Sequence, residues 1–269
     1  MKNSFNIFGF NITFYSLCIL LGVLVAFLVI KKLSKKHKIN PRYLEDILFY
    51  GLLSGILGAR LYYVLFNLDY YLKNINEIVM VWHGGLAIHG GILFGALFVY
   101  LYCRKNKLSF IELTDIILPG VIIAQAIGRW GNFFNQEAYG MMVSKELLQK
   151  LLIPKFVIDG MHINGNYYLP TFYIESIFCI IGFILIMIIS KKTKKIGYPT
   201  SFYLIWYGIL RFIIELFRTD SLMLFNIKMA CIISVISVIL GIVLLIYSSV
   251  KKRSRLWHIQ EKLKKKYLK

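Results

Sequence analysis

ITFYSLCILLGVLVAFLVIKKLSKKHK, residues 12–38, decides the fold. Its apolar run from about 12 to 30 approaches the length a helix needs to cross a bilayer, and a lysine block follows at once. Six more runs of similar character lie at about 44–66, 85–102, 110–128, 170–189, 199–217 and 229–249. The chain is 58% hydrophobic with a mean hydropathy of +0.66, far outside soluble globular composition. The reading is an all-α integral membrane protein with seven transmembrane helices, counted as one polytopic membrane domain over 1–269.

Charge supplies the orientation. Lys and Arg number 32 against 13 Asp and Glu, a net charge of +19. KKLSKKHK after span one, CRKNK after span three, KKTKK after span five, and KKRSR with the lysine-rich tail after span seven fall on alternate connections. This positive-inside pattern puts the N-terminus outside and the C-terminus in the cytoplasm, with a basic cytoplasmic tail over about 250–269. The surplus is thus mainly a topology signal, with some attraction to anionic membrane lipids. No nucleic-acid motif accompanies it, so no nucleic-acid partner is expected.

The first span lacks an A-x-A-like cleavage site, and its basic block follows the apolar run, which reads as a retained anchor. Cys18, Cys103, Cys179 and Cys231 stand singly, without CxxC or metal-ligand spacing, so neither a disulfide framework nor a metal is expected. No cofactor is implied. The longest connection, about 140–169, reads as a small extracytoplasmic cap too short to fold alone.

Polarity inside the spans is expensive and marks function. GRWGNFFNQEAYG, residues 128–140, concentrates it. At about 1.5 Å per residue, Arg129 stands about 28 Å above the start of span four, while Arg211 and Glu215 stand roughly 18–24 Å above the start of span six. Arg60 in span two falls at a similar height. Tyr15, His89 and Glu175 lie within about two turns of the outer ends of spans one, three and five. Polar groups from six spans are therefore expected on one outer level.

Each group also has a plain structural reading. Arg129 and Arg218 at span ends can snorkel to headgroups, Arg60 and Arg211 less readily because they lie deeper. Arg211 and Glu215, four apart, can form an intrahelical ion pair, with Tyr207 on the same face. His83 and His89 flank HGGLAIHGG, where a histidine is often a hydrogen-bonded core residue. Glycines 51, 55, 84, 85, 90, 91 and 95 permit close helix packing. Asn135 and Gln136 can cap a helix, and Glu45, Asp46, Glu112 and Asp115 are expected to be structural.

Together these residues suit an anionic lipid. Guanidinium groups bind phosphate through paired, charge-assisted hydrogen bonds, and asparagine amides orient a hydroxylated headgroup without adding charge. Histidine and a buried glutamate can exchange protons. The class implied is transfer chemistry on a phospholipid. A transporter or flippase for an anionic lipid or ion is the alternative, but such proteins favour sites near the midplane with broken helices.

The motif at 128–140 resembles the signature of the prolipoprotein diacylglyceryl transferases. ITFYSLCILLG at 12–22, GARLYYVLF at 58–66, WHGGLAIHGG at 82–91 and YGILRFIIELFR at 207–218 agree with that family in order and spacing. The resemblance implies transfer of the diacylglyceryl group of phosphatidylglycerol to the lipobox cysteine of a prolipoprotein signal peptide, in the bacterial cytoplasmic membrane with the site towards the extracytoplasmic side. It implies Arg129, Asn132, Arg211 and Gly140 as phosphatidylglycerol-binding residues, and His89, Glu215, Arg211, Tyr15 and Glu137 as catalytic ones, with the thiol proton going to His89 or Glu215. The chain departs from the pattern at Phe14-Tyr15-Ser16, at His83, and in LPTFYIE (169–175). There Leu169 replaces a histidine and the tyrosine is displaced to Tyr173, with Ile174 before a retained Glu175.

Overall fold

The computed structural model describes residues 3–7, 10–37, 39–193, 195–219, 223–224 and 227–250. The basic tail after 250 lies outside the described residues, as does the side chain of His83.

Among the described residues seven long helices occur: α1 (Phe14–His37), α2 (Pro41–Leu65), then, after the short α3 (Leu68–Tyr71) and two 3-10 turns, α4 (Ile88–Lys105) and α5 (Phe110–Asn135). Short helices α6 (Lys145–Lys150) and α7 (Lys155–Gly160) precede α8 (Thr171–Lys192), α9 (Tyr198–Phe217) and α10 (Met229–Val250). Six of these, α1, α2, α5, α8, α9 and α10, are long and apolar enough to cross a membrane. The chain is therefore a multi-pass membrane protein. The 18-residue α4 is not among the six, and it ends on Arg104 and Lys105. Leucines and isoleucines along the long helices stay exposed, Leu20, Leu57 and Ile246 among them, as surfaces solvated by lipid do.

The structure is mostly helical, as expected of an all-α membrane protein, and among the described residues three small antiparallel hairpins accompany the helices: β1 (Ser4–Ile7) with β2 (Phe10–Thr13), β3 (His162–Ile163) with β4 (Asn166–Tyr167), and β5 (Met223–Leu224) with β6 (Ile227–Lys228). Each sits in a connection or before α1, where the backbone must satisfy itself locally.

Helix ends follow local chemistry. Asn40 caps α2, its side chain accepting the Arg42 amide at 3.0 Å, with Pro41 at the first helical position. The start of α9 is capped from α5: Asp115 accepts from the backbone N–H of Gly197 (2.6 Å) and Thr200 (2.9 Å) and from the Thr200 hydroxyl (2.6 Å). Gly197 supplies the required positive φ of 92°. Asp115 is thus structural, as is Asp46, which accepts from the Tyr102 hydroxyl at 2.5 Å. α5 runs seven residues beyond the expected end of its span and stops at Asn135, where Gln136 turns to φ 52°. The Gln136 amide donates to the Gly160 carbonyl at 3.0 Å, which pins that turn.

The chain falls into two compact units, one of residues 1–30 and 114–269, the other of 31–113. In the first, α5, α8 and α9 share a core of Ile122, Ala126, Cys179, Ile186, Leu210 and Ile214. α1 lies close on α5, since a Cβ at Gly22 would stand 3.1 Å from the Ala124 carbonyl and one at Gly120 2.7 Å from Ile30. A second cluster, including Phe133, Leu148, Val157, Met161 and Phe172, packs α6 and α7 onto the ends of α5 and α8. In the second unit α2 pairs with α4, the Ser54 hydroxyl donating to the Phe94 carbonyl at 3.2 Å.

Candidate active site

Glu175, one turn into α8, is the hub of the first unit. Only 2% exposed, its carboxylate meets Arg129 of α5 at 2.8 Å through Oε1 and Arg211 of α9 at 3.5 Å through Oε2. Arg211 also pairs with Glu215, one turn further along α9, at 2.6 Å. The Tyr207 hydroxyl donates to Glu175 Oε1 at 3.1 Å and accepts from Arg129 at 3.3 Å. Two guanidiniums and two carboxylates cancel in formal charge, which makes the cluster tolerable in a membrane interior. The carboxylates lie behind: Glu175 and Glu215 are 2% exposed, whereas Arg129 and Arg211 keep 22% and 17% of their side chains open. Each arginine therefore keeps part of its side chain open while a buried carboxylate fixes its position.

The rest of the signature extends from Arg129. Its Nη1 lies 3.5 Å from the Asn132 side-chain oxygen, and Asn132 donates to Glu137 at 2.9 Å. Asn135 donates to the same Glu137 oxygen at 3.4 Å. The ring of Tyr15 lies on Gly131, where a Cβ would stand 2.7 Å from Tyr15 Cδ2. Gly140 is held by its backbone. Its N–H donates to Leu169 at 2.8 Å, it bridges to Arg218, and a Cβ there would meet Thr171 at 2.9 Å and Leu169 at 3.0 Å. Lys228 closes the end of α9, donating to the carbonyls of Glu215 (2.6 Å) and Arg218 (2.7 Å).

Tyr15, Arg129, Asn132, Glu137, Gly140, Arg211 and Glu215 thus gather at one end of α1, α5, α8 and α9. The bridging role of Glu175 is what sequence reasoning missed. Its segment departs from the family pattern, yet the structure shows why the glutamate persists. Tyr173 packs on Trp130, and Leu169 joins the apolar cluster of Phe133, Leu148, Val157, Met161 and Phe172.

The second unit holds Arg60 and His89. Arg60 is 6% exposed and makes no ion pair among the described residues. Its guanidinium donates instead to backbone carbonyls of Glu77, Ile78 (2.9 Å), Gly84 (2.7 Å) and Gly85 (3.0 Å), and lies 5.1 Å from the Tyr71 ring centre. It therefore shapes the loop that leads into α4, rather than snorkelling. His89, in the first turn of α4, stands beside Tyr62 with ring centres 6.4 Å apart, and its imidazole makes no hydrogen bond among the described residues. Gly90 lets α4 approach α2, since a Cβ would run into the Gly58 carbonyl and Tyr62. In loop 66–83, Tyr70 donates to Glu77 at 2.9 Å, a bond that raises the phenol pKa.

Helices of bilayer length that hold an arginine–carboxylate cluster between them define a multi-pass membrane protein with a charged centre. The family model for prolipoprotein diacylglyceryl transferase matches residues 2–247. A phosphatidylglycerol–prolipoprotein diacylglyceryl transferase of Staphylococcus aureus (strain MSSA476) is 42% identical over 249 residues, covering 92% of this chain and 89% of that protein. One from Staphylococcus haemolyticus (strain JCSC1435) is 43% identical over 255 residues, covering 94% and 90%. The chain belongs to the prolipoprotein diacylglyceryl transferase family.

Proposed function

We propose that this protein transfers the diacylglyceryl group of phosphatidylglycerol to the lipobox cysteine of a prolipoprotein signal peptide, the first step of bacterial lipoprotein maturation. The observation that carries the reading is the pair of partly open guanidiniums, Arg129 and Arg211, fixed on one buried carboxylate. In the reaction the cysteine sulfur attacks the glycerol carbon bonded to phosphate oxygen. The C–S thioether forms as the C–O bond breaks, and glycerol-1-phosphate leaves with the electron pair. Negative charge accumulates on the departing phosphate, so the Arg129 and Arg211 guanidiniums stabilise the transition state more than the ground state. Glu175 and Glu215 hold those groups in place before substrate arrives, and a phosphate addresses the edges the carboxylates leave free.

A free thiol has a pKa of about 8.5, so only a few per cent is thiolate at neutral pH. A base is needed to take its proton. His89 or Glu215 is the candidate, and the Glu215 carboxylate is paired with Arg211. Asn132 and Glu137, already bonded to each other, orient the hydroxylated headgroup. Tyr15 lines the same end of the bundle, and Gly140 contributes the close backbone approach that closes the site. The topology that fits this chemistry has seven spans including α4, an external N-terminus, a cytoplasmic C-terminus, and the segment between α5 and α8 as a cap on the extracytoplasmic side of the cytoplasmic membrane.

Purified protein incubated with phosphatidylglycerol and a lipobox peptide should add one diacylglyceryl mass to the peptide by mass spectrometry. A Cys→Ser peptide should gain nothing. No mass gain on the cysteine peptide, or the same behaviour from both peptides, would overturn the reading.

A further inference from the structure

One helical turn from the charged cluster the polar face continues without charge. Gln125 precedes Arg129 by four residues on α5, and Tyr203 precedes Tyr207 by four on α9, so both lie on the same faces about 6 Å nearer the middle of their helices or beyond. The Gln125 side-chain amide donates to the Tyr203 hydroxyl at 3.1 Å. The Tyr203 ring is parallel to that of Tyr207, with centres 5.8 Å apart. Around them are apolar side chains, Ile122, Ala126, Cys179 and Leu210.

The pair is left incompletely bonded. The Gln125 side-chain oxygen is buried with no hydrogen-bond partner among the described residues, and the Tyr203 hydroxyl accepts from Gln125 but has no acceptor for its own proton there. Turning the amide end for end lets its oxygen take that proton, which leaves the N–H2 end unpaired instead. In either orientation a polar donor remains unsatisfied inside a bundle that lipid surrounds, where such a group is costly. Both residues keep part of their surface open.

We propose that Gln125 and Tyr203 form an uncharged subsite that donates hydrogen bonds to an acyl ester carbonyl of the phospholipid whose phosphate Arg129 and Arg211 hold. This rests on the reading of the charged cluster as a phosphate site. The glycerol backbone of a phospholipid separates its phosphate from its ester carbonyls by a length comparable to one helical turn. A lipid with its phosphate at the arginines and its chains towards the membrane interior therefore brings a carbonyl, an acceptor without donors of its own, to this level. The subsite would fix how far the lipid slides inward and so place the attacked carbon.

The test compares diester phosphatidylglycerol with its diether analogue, which lacks both carbonyls and keeps the reacting carbon and headgroup. Lipid retention is read by native mass spectrometry, and transfer to a lipobox peptide is read separately. The wild type is expected to retain the diester about tenfold better, and Gln125→Leu to lose about tenfold on the diester and nothing on the diether. Tyr203→Phe, which keeps the stacked ring, should lose part of the same preference. Equal losses on both lipids, or a wild type indifferent to the carbonyls, would overturn the proposal. Carbonyl preference in retention without any transfer would uphold the subsite while overturning the transferase reading. Transfer without the preference would do the reverse.

Discussion

Replacing Glu175 with glutamine keeps the side chain's shape and removes the charge between two arginines. The carboxylate now faces Arg129 at 2.8 Å and Arg211 at 3.5 Å and accepts from Tyr207 at 3.1 Å. A glutamine can offer its oxygen to only one side and sets an amide donor against the other guanidinium. Breaking a buried pair in this way typically costs about 3–5 kcal/mol, because a charge stays buried without its partner. For a chain of this size the midpoint of thermal unfolding should fall on the order of 10 °C. An anionic lipid can supply the missing charge. Saturating it to about a hundred times its dissociation constant returns roughly 2.7 kcal/mol, about half or more of the loss. Thermal unfolding in detergent, with phosphatidylglycerol or phosphatidylcholine added, reads this directly. The variant should gain more from phosphatidylglycerol than the wild type does, and little from phosphatidylcholine. Equal rescue by both lipids, or a variant as stable as the wild type, would refute the view that Glu175 neutralises arginines that otherwise take a phosphate.

Arg129→Lys keeps the charge but cannot make a paired contact, so kcat/KM for peptide lipidation should fall about 100-fold or more, as loss of a transition-state donor does. Near-normal turnover would mean a point charge suffices. Arg60→Lys cannot reach four carbonyls at once. Amide hydrogen exchange across 77–85 should accelerate at least tenfold, and unchanged exchange would show that the loop holds itself. Gly131→Ala would push a Cβ towards Tyr15, 2.7 Å from its Cδ2, and should cost about 1–3 kcal/mol of stability. The cost should largely vanish in a Tyr15→Ala background, and a persisting cost would place the strain elsewhere.

What could be read from the sequence was what the bilayer imposes. Apolar length and alternating basic blocks mark the helices because lipid forbids unpaired backbone and penalises charge. Arg211 and Glu215 were legible as a pair because helical spacing alone brings them together. Glu175 was not, because its partners come from α5 and α9, far away in sequence, and the residues around it had changed. Arg60 hid its role for another reason: its acceptors are backbone carbonyls, which leave no residue signature. The elements between 145 and 167 are too short for a periodicity to show. The end of α5 was legible in part: Asn135 and Gln136 read as a helix end, and the helix stops at Asn135, with the turn made by Gln136 through its positive φ and its bond to Gly160.

A labelled lipid shows which bond breaks. Phosphatidylglycerol carrying isotope in its headgroup glycerol is incubated with the protein and a lipobox peptide, and both products are counted. The account predicts one labelled glycerol-1-phosphate released for each thioether-linked diacylglyceryl peptide formed, with all phosphorus leaving on the headgroup side. Phosphate retained on the diacylglyceryl product, or headgroup release without peptide modification, would contradict it.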